Sequence, residues 1–311
     1  MSNRLRIIFM GTPEFAVPSL RSLVESNSNV IAVITAPDKP SGRGQKPTQS
    51  PVKIYATEHG ITVLQPEKLK NPEFLEELKE LNADLQVVVA FRMLPEIVWM
   101  MPKYGTFNLH GSLLPQYRGA APINWAIING ETETGVTTFF IEKDIDTGKI
   151  IFQDKEPIGP DDDAGSVYER LMLKGAHLVV KTVEAIENGS YPQEDQRESE
   201  ILKSAPKIFR ETCEINWNKT ALEIHNFVRG LSPYPAAWTT LNGLSCKIFK
   251  TRIIIDQDAE QTSDTSPGEY KTDNKTYLNF RASDAWISIE ILQLEGKKRM
   301  EIGDLLRGMK L

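Results

Sequence analysis

Apolar runs separated by amphipathic segments organise the first two thirds of the chain. Residues 5–10 and 85–91 are almost unbroken apolar runs, which are typical of strands buried on both faces of a sheet. Shorter strand-like runs cover residues 29–36, 62–64, 105–107, 135–142 and 149–152. Helical spacing of apolar residues predicts helices at residues 14–25, 52–59, 72–81, 123–129 and 164–188.

This alternation of strands and helices predicts an α/β domain over residues 1–190, with a Rossmann-like, doubly wound and mostly parallel sheet. The first strand runs into Gly11-Thr12-Pro13 and then a helix, as in dinucleotide-binding domains. The Gly-x-Gly-x-x-Gly pattern of those domains is absent, however. An oxidoreductase therefore loses its main support.

The last third of the chain has a different pattern. A strand-like segment at residues 214–217 precedes a helix at residues 220–230, and further short strand-like segments separated by turn signals occupy residues 237–241, 246–251, 277–280 and 285–294. This pattern predicts a smaller C-terminal domain, a β-barrel-like fold of the OB type, over residues 207–311. Residues 191–206 are polar and irregular, so we expect them to be a linker. Residues 256–266 are acidic and rich in Ser and Thr, and we expect a solvated loop.

The strongest candidate for chemistry is the stretch 108–122, which reads Asn-Leu-His-Gly-Ser-Leu-Leu-Pro-Gln-Tyr-Arg-Gly-Ala-Ala-Pro. It follows a predicted strand, and open α/β sheets carry their sites at the carboxyl ends of strands. Alternate residues of an extended backbone point the same way, so Asn108 and His110 would face one pocket. A histidine titrates near neutral pH and suits proton transfer. The other histidines, 59, 177 and 225, lie in helix-like segments, where a structural role is the more common one.

A second polar group lies on the turn 143–148, which contains Asp144 and Asp146 and follows a predicted strand. A carboxylate brought beside His110 would favour the imidazolium and fix its orientation. Asp and Gly are also ordinary turn residues, so the turn has a purely structural interpretation. Sequence spacing alone leaves both interpretations open.

The segment 37–51 is a long loop with four prolines, two glycines and the cations Lys39, Arg43 and Lys46. Loops of this length inside compact domains are usually functional or disordered. The composition therefore fits either a mobile connector or a basic finger that reaches for a phosphate backbone.

Composition narrows the functional classes. The net charge of −6 disfavours a general nucleic-acid binder, although residues 206–311 are nearly balanced, with 15 Lys/Arg and 14 Asp/Glu. Any RNA contact must therefore come from local basic loops. No apolar run approaches the roughly 20 residues of a membrane span, and the N-terminus has no export-signal pattern. Cys213 and Cys246 are too few for a disulfide framework, so we expect a cytoplasmic protein.

Motifs along nearly the whole chain carry a family resemblance. They are residues 9–15, 42–44, 50–53, 87–91, 108–122, 144–148, 215–217, 229–238 and 296–298. On these motifs the chain resembles the methionyl-tRNA formyltransferases, which belong to the folate-dependent formyltransferases. Asn-x-His-Gly-Ser-Leu-Leu-Pro with a downstream Asp is highly specific for folate-dependent formyl transfer.

The resemblance implies a reaction and a set of residues. The formyl group of 10-formyltetrahydrofolate would pass to the α-amine of initiator methionyl-tRNA, without a metal. Asn108 and His110 would donate to the formyl oxygen, and Asp146 would hold and charge His110. Arg43 would contact the tRNA acceptor stem, and the second domain would embrace the tRNA. The folate contacts implied are Phe91, Ser112, Leu113, Leu114, Pro115 and Asp144. We expect a monomer.

Alternatives within the same site are transfer to another amine, such as an amino sugar nucleotide, and hydrolysis of formyltetrahydrofolate. A protein that binds RNA without catalysing a reaction is a further alternative.

One segment departs from the family pattern. Phe91 is followed by Arg92-Met93-Leu94-Pro95, where the family usually has Tyr-Gly and one further residue before Leu-Pro. Arg92 therefore receives no role from the resemblance.

Overall fold

A computed structural model of the chain describes residues 4–41, 46–197, 201–254 and 265–311. The strands are β1 (Ile7–Gly11), β2 (Val30–Ile34), β3 (Lys39–Ser41), β4 (Lys46–Thr48), β5 (Thr62–Leu64), β6 (Leu85–Val89), β7 (Thr106–His110), β8 (Arg118–Gly119), β9 (Glu133–Phe140), β10 (Ile150–Pro157), β11 (Ser204–Ala205), β12 (Ala237–Leu241), β13 (Leu244–Ile254), β14 (Tyr270–Thr272), β15 (Leu278–Arg281), β16 (Trp286–Leu294) and β17 (Met300–Glu301).

The helices are α1 (Val17–Glu25), α2 (Pro51–Glu58), α3 (Pro72–Glu80), α4 (Glu96–Trp99), α5 (Pro122–Ile128), α6 (Ala164–Glu187), α7 (Ala221–Leu231) and α8 (Ile302–Gly308). Short 3-10 turns cover Glu14–Ala16 and Arg210–Cys213. Among the residues that the structure describes, no helix is both long and apolar enough to span a membrane.

Seven of these strands form one sheet in the order β10-β9-β7-β6-β1-β2-β5. The neighbours from β7 to β5 are all parallel, and β9 joins β7 antiparallel. Every residue of β1 and β6 is buried, as their apolar runs indicate. The predicted doubly wound, mostly parallel sheet is therefore confirmed.

The predicted loop 37–51 is different in the structure. β3 and β4 pair antiparallel, with Pro40 opposite Pro47, so the segment has two short arms rather than an irregular course. Proline has no N–H to donate to a ladder, so it is found mainly on edge strands. Both strands of this two-stranded sheet are edge strands, and each therefore tolerates a proline. Asp38 precedes the first arm and accepts from Lys53 Nζ at 2.6 Å and from Gln65 Nε2 at 2.8 Å. Arg43 lies outside the described residues.

The second sheet has the order β12-β13-β16-β15-β14, and β17 pairs with β16. All its pairs are antiparallel, and β13 bulges near Lys250. Its inner face packs with α7 around a core that includes Val228, Ile248 and Ile287. This curled antiparallel sheet confirms the predicted barrel-like architecture. The predicted strand at 214–217 is wrong, because only an isolated bridge from Glu214 to Trp238 forms there. Most of the predicted loop 256–266 lies outside the described residues.

The described chain divides into two compact units. One contains residues up to Gly119, Thr134–Glu156 and Tyr168–Ser204, and the other contains Ala120–Glu133, Pro157–Val167 and the chain from Ala205 onwards. These units are built from segments that alternate along the chain. The sequence boundaries at residues 190 and 207 stay a prediction.

Candidate active site

Strand β7 carries Asn108 and His110 at the carboxyl end of the parallel part of the sheet. The strand extends through His110, three residues farther than predicted, because its pairing with β9 continues to His110 opposite Thr137. Leu109 points to the other face and touches α6, where a Cβ built on Gly175 would lie 2.6 Å from Leu109 Cδ2. Asn108 and His110 therefore share the face opposite α6.

His110 is buried, with 6% of its surface exposed. Its Nε2 lies 2.8 Å from the carbonyl oxygen of Tyr117. A carbonyl only accepts, so Nε2 carries a hydrogen. Nδ1 lies 3.8 Å from Asp146 Oδ2, which is ion-pair distance but beyond the length of a hydrogen bond. The ring is thus oriented by one nitrogen and faces a carboxylate with the other.

Asp146 reaches His110 from the turn between β9 and β10. It adopts a positive φ of 56°, which Asp tolerates better than most residues. The backbone N–H of Gly119 donates to Asp146 Oδ2 at 2.9 Å and fixes the carboxylate. Two residues on, Gly148 has no room for a side chain, since a Cβ would lie 1.7 Å from the Phe140 carbonyl oxygen. The structure therefore places Asp146 next to His110, a contact that sequence spacing left open.

The segment after β7 is held to the sheet by a small polar network. The Thr137 hydroxyl donates to the Ser112 carbonyl at 2.7 Å, and the Leu114 N–H lies 3.2 Å from the same hydroxyl. Gln153 Nε2 lies 2.9 Å from both the Leu114 carbonyl and Thr137 Oγ1. Ser112 is fully buried and its hydroxyl donates to the Gln116 carbonyl, so this hydroxyl supports the loop. Leu113 and Pro115 remain half-buried.

Thr137 and Gln153 were missed by the sequence interpretation. Thr137 lies beside Thr138 in β9, between apolar Val136 and Phe139, and is fully buried. A polar residue that interrupts a buried strand needs a partner, and that is the signal that could have found it. Gln153 lies on β10 in a run of mixed residues and gives no comparable signal.

Phe91 follows β6, the strand beside β7, and so lies at the same edge of the sheet. Its side chain is half-buried against a core cluster that includes Leu94 and Val98. The preceding Ala90 adopts φ +47°, an uncommon conformation for a residue with a Cβ. Arg92, which the sequence left without a role, donates to the carbonyls of Pro66 and Glu67 and lies over the Phe91 ring.

The other predicted site residues are less closely connected. Asp144 lies in the Asp146 turn with an exposed side chain, and its carbonyl accepts from the Thr147 hydroxyl. Arg43 is outside the described residues. Within the described ranges, His, Cys, Asp and Glu side chains form no group of three that could hold a metal ion.

A buried imidazole beside a carboxylate, with an amide side chain two residues away on one strand, suits chemistry at a carbonyl group. The amide and the ring can donate to an oxygen that gains negative charge, and the carboxylate can support a proton transfer. Fold and site therefore define an α/β enzyme that acts on a carbonyl or acyl group.

The chain belongs to the formyl transferase family. The formyl transferase domain matches residues 4–183, and the formyl transferase C-terminal domain matches residues 207–310. Two bacterial relatives, each named methionyl-tRNA formyltransferase, match over almost their whole length. The one from Bacteroides fragilis is 52% identical over 99% of this chain and 96% of its own. The one from Parabacteroides distasonis is 55% identical over 98% and 96%.

Solved structures of more distant proteins share the fold. A sugar 3N-formyl transferase determined with dTDP and 5-N-formyl-THF is 24% identical, covers 95% of this chain and 100% of its own, and has a TM-score of 0.67. The N-formyltransferase from Helicobacter canadensis, determined with folinic acid and dTDP-3-aminofucose, is 25% identical, covers 92% and 98%, and has a TM-score of 0.66.

Proposed function

We propose that this chain transfers the formyl group of 10-formyltetrahydrofolate to the α-amine of methionyl initiator tRNA, for the start of translation. The observation that carries the proposal is end-to-end similarity, above 50% identity, to relatives named methionyl-tRNA formyltransferase. The sugar-modifying proteins of known structure are only 24–25% identical. This difference favours the tRNA amine over an amino sugar as acceptor.

Asn108 and His110 take the role of donors to the formyl oxygen. Nε2 of His110 is bound to the Tyr117 carbonyl, so Nδ1, which faces Asp146, is the nitrogen left to donate. Nδ1 donates to the formyl oxygen when it carries a hydrogen, and the Asp146 carboxylate then holds the ring in place. Attack of the amine puts negative charge on the formyl oxygen, and donors placed there are each worth about 3 kcal/mol.

Asp146 supports the proton transfer that completes the reaction. The new bond joins the amine nitrogen to the formyl carbon, and the bond from that carbon to N10 of the folate breaks. The amine must lose a proton and N10 must gain one. The Asp146 carboxylate, held by the Gly119 N–H, is the base placed to accept the amine proton, directly or through a water.

The folate would lie along the loop after β7 and the end of β6. Phe91, Leu113 and Pro115 are half-buried apolar side chains at this edge, and such surface suits a planar ring. The loop carrying Ser112 and Leu114 is fixed by Thr137 and Gln153, so it would be formed before the folate arrives. Asp144, exposed on the neighbouring turn, is the predicted polar contact to folate.

The tRNA contact of Arg43 rests on the family resemblance, and the flanking strands β3 and β4 pair antiparallel. Asp38, which accepts from Lys53 and Gln65, would hold the start of β3 in place when the acceptor stem binds. The chain would work as a cytoplasmic monomer, with the C-terminal unit as a second tRNA contact.

The test is formyl transfer from 10-formyltetrahydrofolate, measured with methionyl initiator tRNA, with an amino sugar nucleotide and with water alone. We expect turnover with the tRNA at least a hundredfold faster than with the other acceptors. Turnover with the sugar nucleotide but not the tRNA would establish the other amine as substrate. Folate consumption without an acceptor would establish a hydrolase, and either result would overturn the proposal.

A further inference from the structure

The segment after α6, which the sequence describes as a polar linker, lies against the loops of the candidate site. Glu194 forms a two-way backbone bridge to Ile150, with N···O distances of 2.8 and 3.0 Å. Farther along, the Lys203 carbonyl accepts from the Tyr117 N–H at 2.6 Å. The segment is thus attached at one end beside the Asp146 turn and at the other beside the residue that binds His110.

Gln196 lies between these attachment points and makes four hydrogen bonds with its side-chain amide. Nε2 donates to the Asp146 carbonyl at 2.8 Å and to the Gly148 carbonyl at 2.9 Å. Oε1 accepts from Arg118 Nε at 3.1 Å and Nη2 at 2.6 Å. Carbonyls only accept and a guanidinium only donates, so the orientation of this amide is fixed by its partners.

The partners of this amide lie next to the groups that hold His110 and Asp146. Asp146, whose carbonyl Gln196 holds, presents its carboxylate at ion-pair distance from His110. Arg118 lies between Tyr117, whose carbonyl accepts from His110, and Gly119, whose N–H binds the Asp146 carboxylate. The Gln196 side chain therefore connects the turn that carries Asp146 with the loop that orients both groups.

We propose that Gln196 and Arg118 are positioning residues that set the separation of the His110 imidazole and the Asp146 carboxylate. We call these two side chains the Gln196–Arg118 bracket. Asp146 has a positive φ, and its turn lies at the surface, where neighbours such as Asp144 and Ile145 are exposed. A turn of that kind needs hydrogen bonds from another segment to hold its carboxylate in one position, and the bracket provides them.

The bracket acts on the reaction through geometry alone, so its loss should lower turnover and leave substrate affinity unchanged. Misplacing a reacting group by about 1 Å can cost a hundredfold in rate. This inference rests on the proposed formyl transfer for its kinetic part. Its structural part, the position of the His110 ring relative to Asp146, is independent of which acceptor the enzyme uses.

The experiment compares Gln196→Ala, Gln196→Glu and Arg118→Ala with Gln193→Ala, an exposed glutamine three residues earlier on the same segment. The glutamate variant keeps the size of the side chain and its attraction to Arg118, but it cannot donate to the two turn carbonyls. We expect kcat to fall about tenfold or more in both Gln196 variants, with both KM values within twofold of wild type. Gln193→Ala should match wild type.

Two further measurements separate positioning from general stability. The double variant Gln196→Ala/Arg118→Ala should be no slower than the slower single variant, because the two side chains act as one unit. The imidazole NMR signals of His110 should move in Gln196→Ala and stay in place in Gln193→Ala.

Unchanged kcat in Gln196→Glu, multiplying losses in the double variant, or a lowered melting temperature with unmoved His110 signals would each overturn the bracket. Moved His110 signals in an enzyme that does not formylate methionyl-tRNA would leave the bracket standing and remove the proposed function.

Discussion

Two histidines, one in each compact unit, lie beside groups of opposite charge. His110 lies on β7 between the Tyr117 carbonyl and the Asp146 carboxylate. His225 lies on α7, with Nδ1 3.0 Å from the Thr251 hydroxyl and Arg229 one turn farther along the helix. Burial, followed by the Arg229 charge, lowers the pKa of His225. One ring faces an anion at ion-pair distance, and the other lies near a cation that contributes to its lowered pKa.

The comparison shows that a hydrogen-bonded histidine away from the surface does not by itself mark a catalytic site. Both rings have hydrogen-bond partners, although His110 is buried and His225 only half-buried. The two rings differ in the charged group beside them, a carboxylate for His110 and a guanidinium for His225. They also differ in position, since His110 lies at the carboxyl end of a sheet strand, where substrates bind in α/β folds. His225 contributes to the packing of α7 against β13, while His110 has a reactive arrangement.

The largest expected effect separates the two rings directly. His110→Ala should lower kcat by at least a hundredfold to a thousandfold, because it removes a donor to the developing oxyanion. His225→Ala should leave kcat per folded molecule within about threefold, since none of the groups that the structure describes around it is a site residue. Formylation rates and far-UV circular dichroism of both variants make the measurement. Comparable losses in the two folded variants would contradict the distinction.

A second prediction tests whether the carboxylate beside His110 must be held in place. Gly148→Ala would push a Cβ into the Phe140 carbonyl, so the turn carrying Asp146 has to move. We expect a loss of about tenfold to a hundredfold in kcat. Gly308→Ala on α8 is the matched control, because neither glycine has a positive φ and a Cβ at Gly308 meets no atom within 4 Å. It should leave kcat unchanged; an equally active Gly148→Ala would show that the Asp146 position is not critical.

The smallest effect concerns pH and the second ring. Groups that face His225 are Arg229, Asp161, Glu290, the Pro160 carbonyl and the Thr251 hydroxyl. Because the folded-state pKa is lowered, the unfolded chain binds a proton first as pH falls below the ordinary value of about 6.5. Stability is therefore lost between that pH and the lower folded pKa. Urea unfolding at pH 7.5 and 5.5 should show a smaller pH-dependent loss for His225→Gln than for wild type; equal losses would contradict the assignment.

Much of the architecture follows from short-range patterns. The buried runs of β1 and β6 were predictable because strands covered on both faces need continuous apolar residues. The end of β7 was placed three residues too early, because Asn108 and His110 interrupt the apolar run; pairing with β9, and with β6 as far as Leu109, keeps them in the strand. The β3–β4 arms were missed because their proline-rich sequence has low strand propensity and gains order from pairing alone.

The candidate site was predictable residue by residue, but its connections were not. Asn108 and His110 belong to one strand, so their shared face follows from a period of two. The approach of Asp146 to His110 joins positions far apart in the chain, and a turn motif does not encode which loop it meets. Gln196 is 78 residues from Arg118 in a segment with the composition of a linker, so no local pattern could indicate its contacts.

The second compact unit has a consequence for how the protein can be divided. Gly230 on α7 has no room for a Cβ because Ile128 of α5 lies against it, and Asn124 donates to its carbonyl. Arg229 likewise donates to the carbonyls of Gly159 and Asp162. All these partners precede residue 207 in the chain. A gene fragment encoding only the C-terminal family domain would lack them. When this domain is exchanged between relatives, its α7 residues must still fit these partners, which are encoded before residue 207.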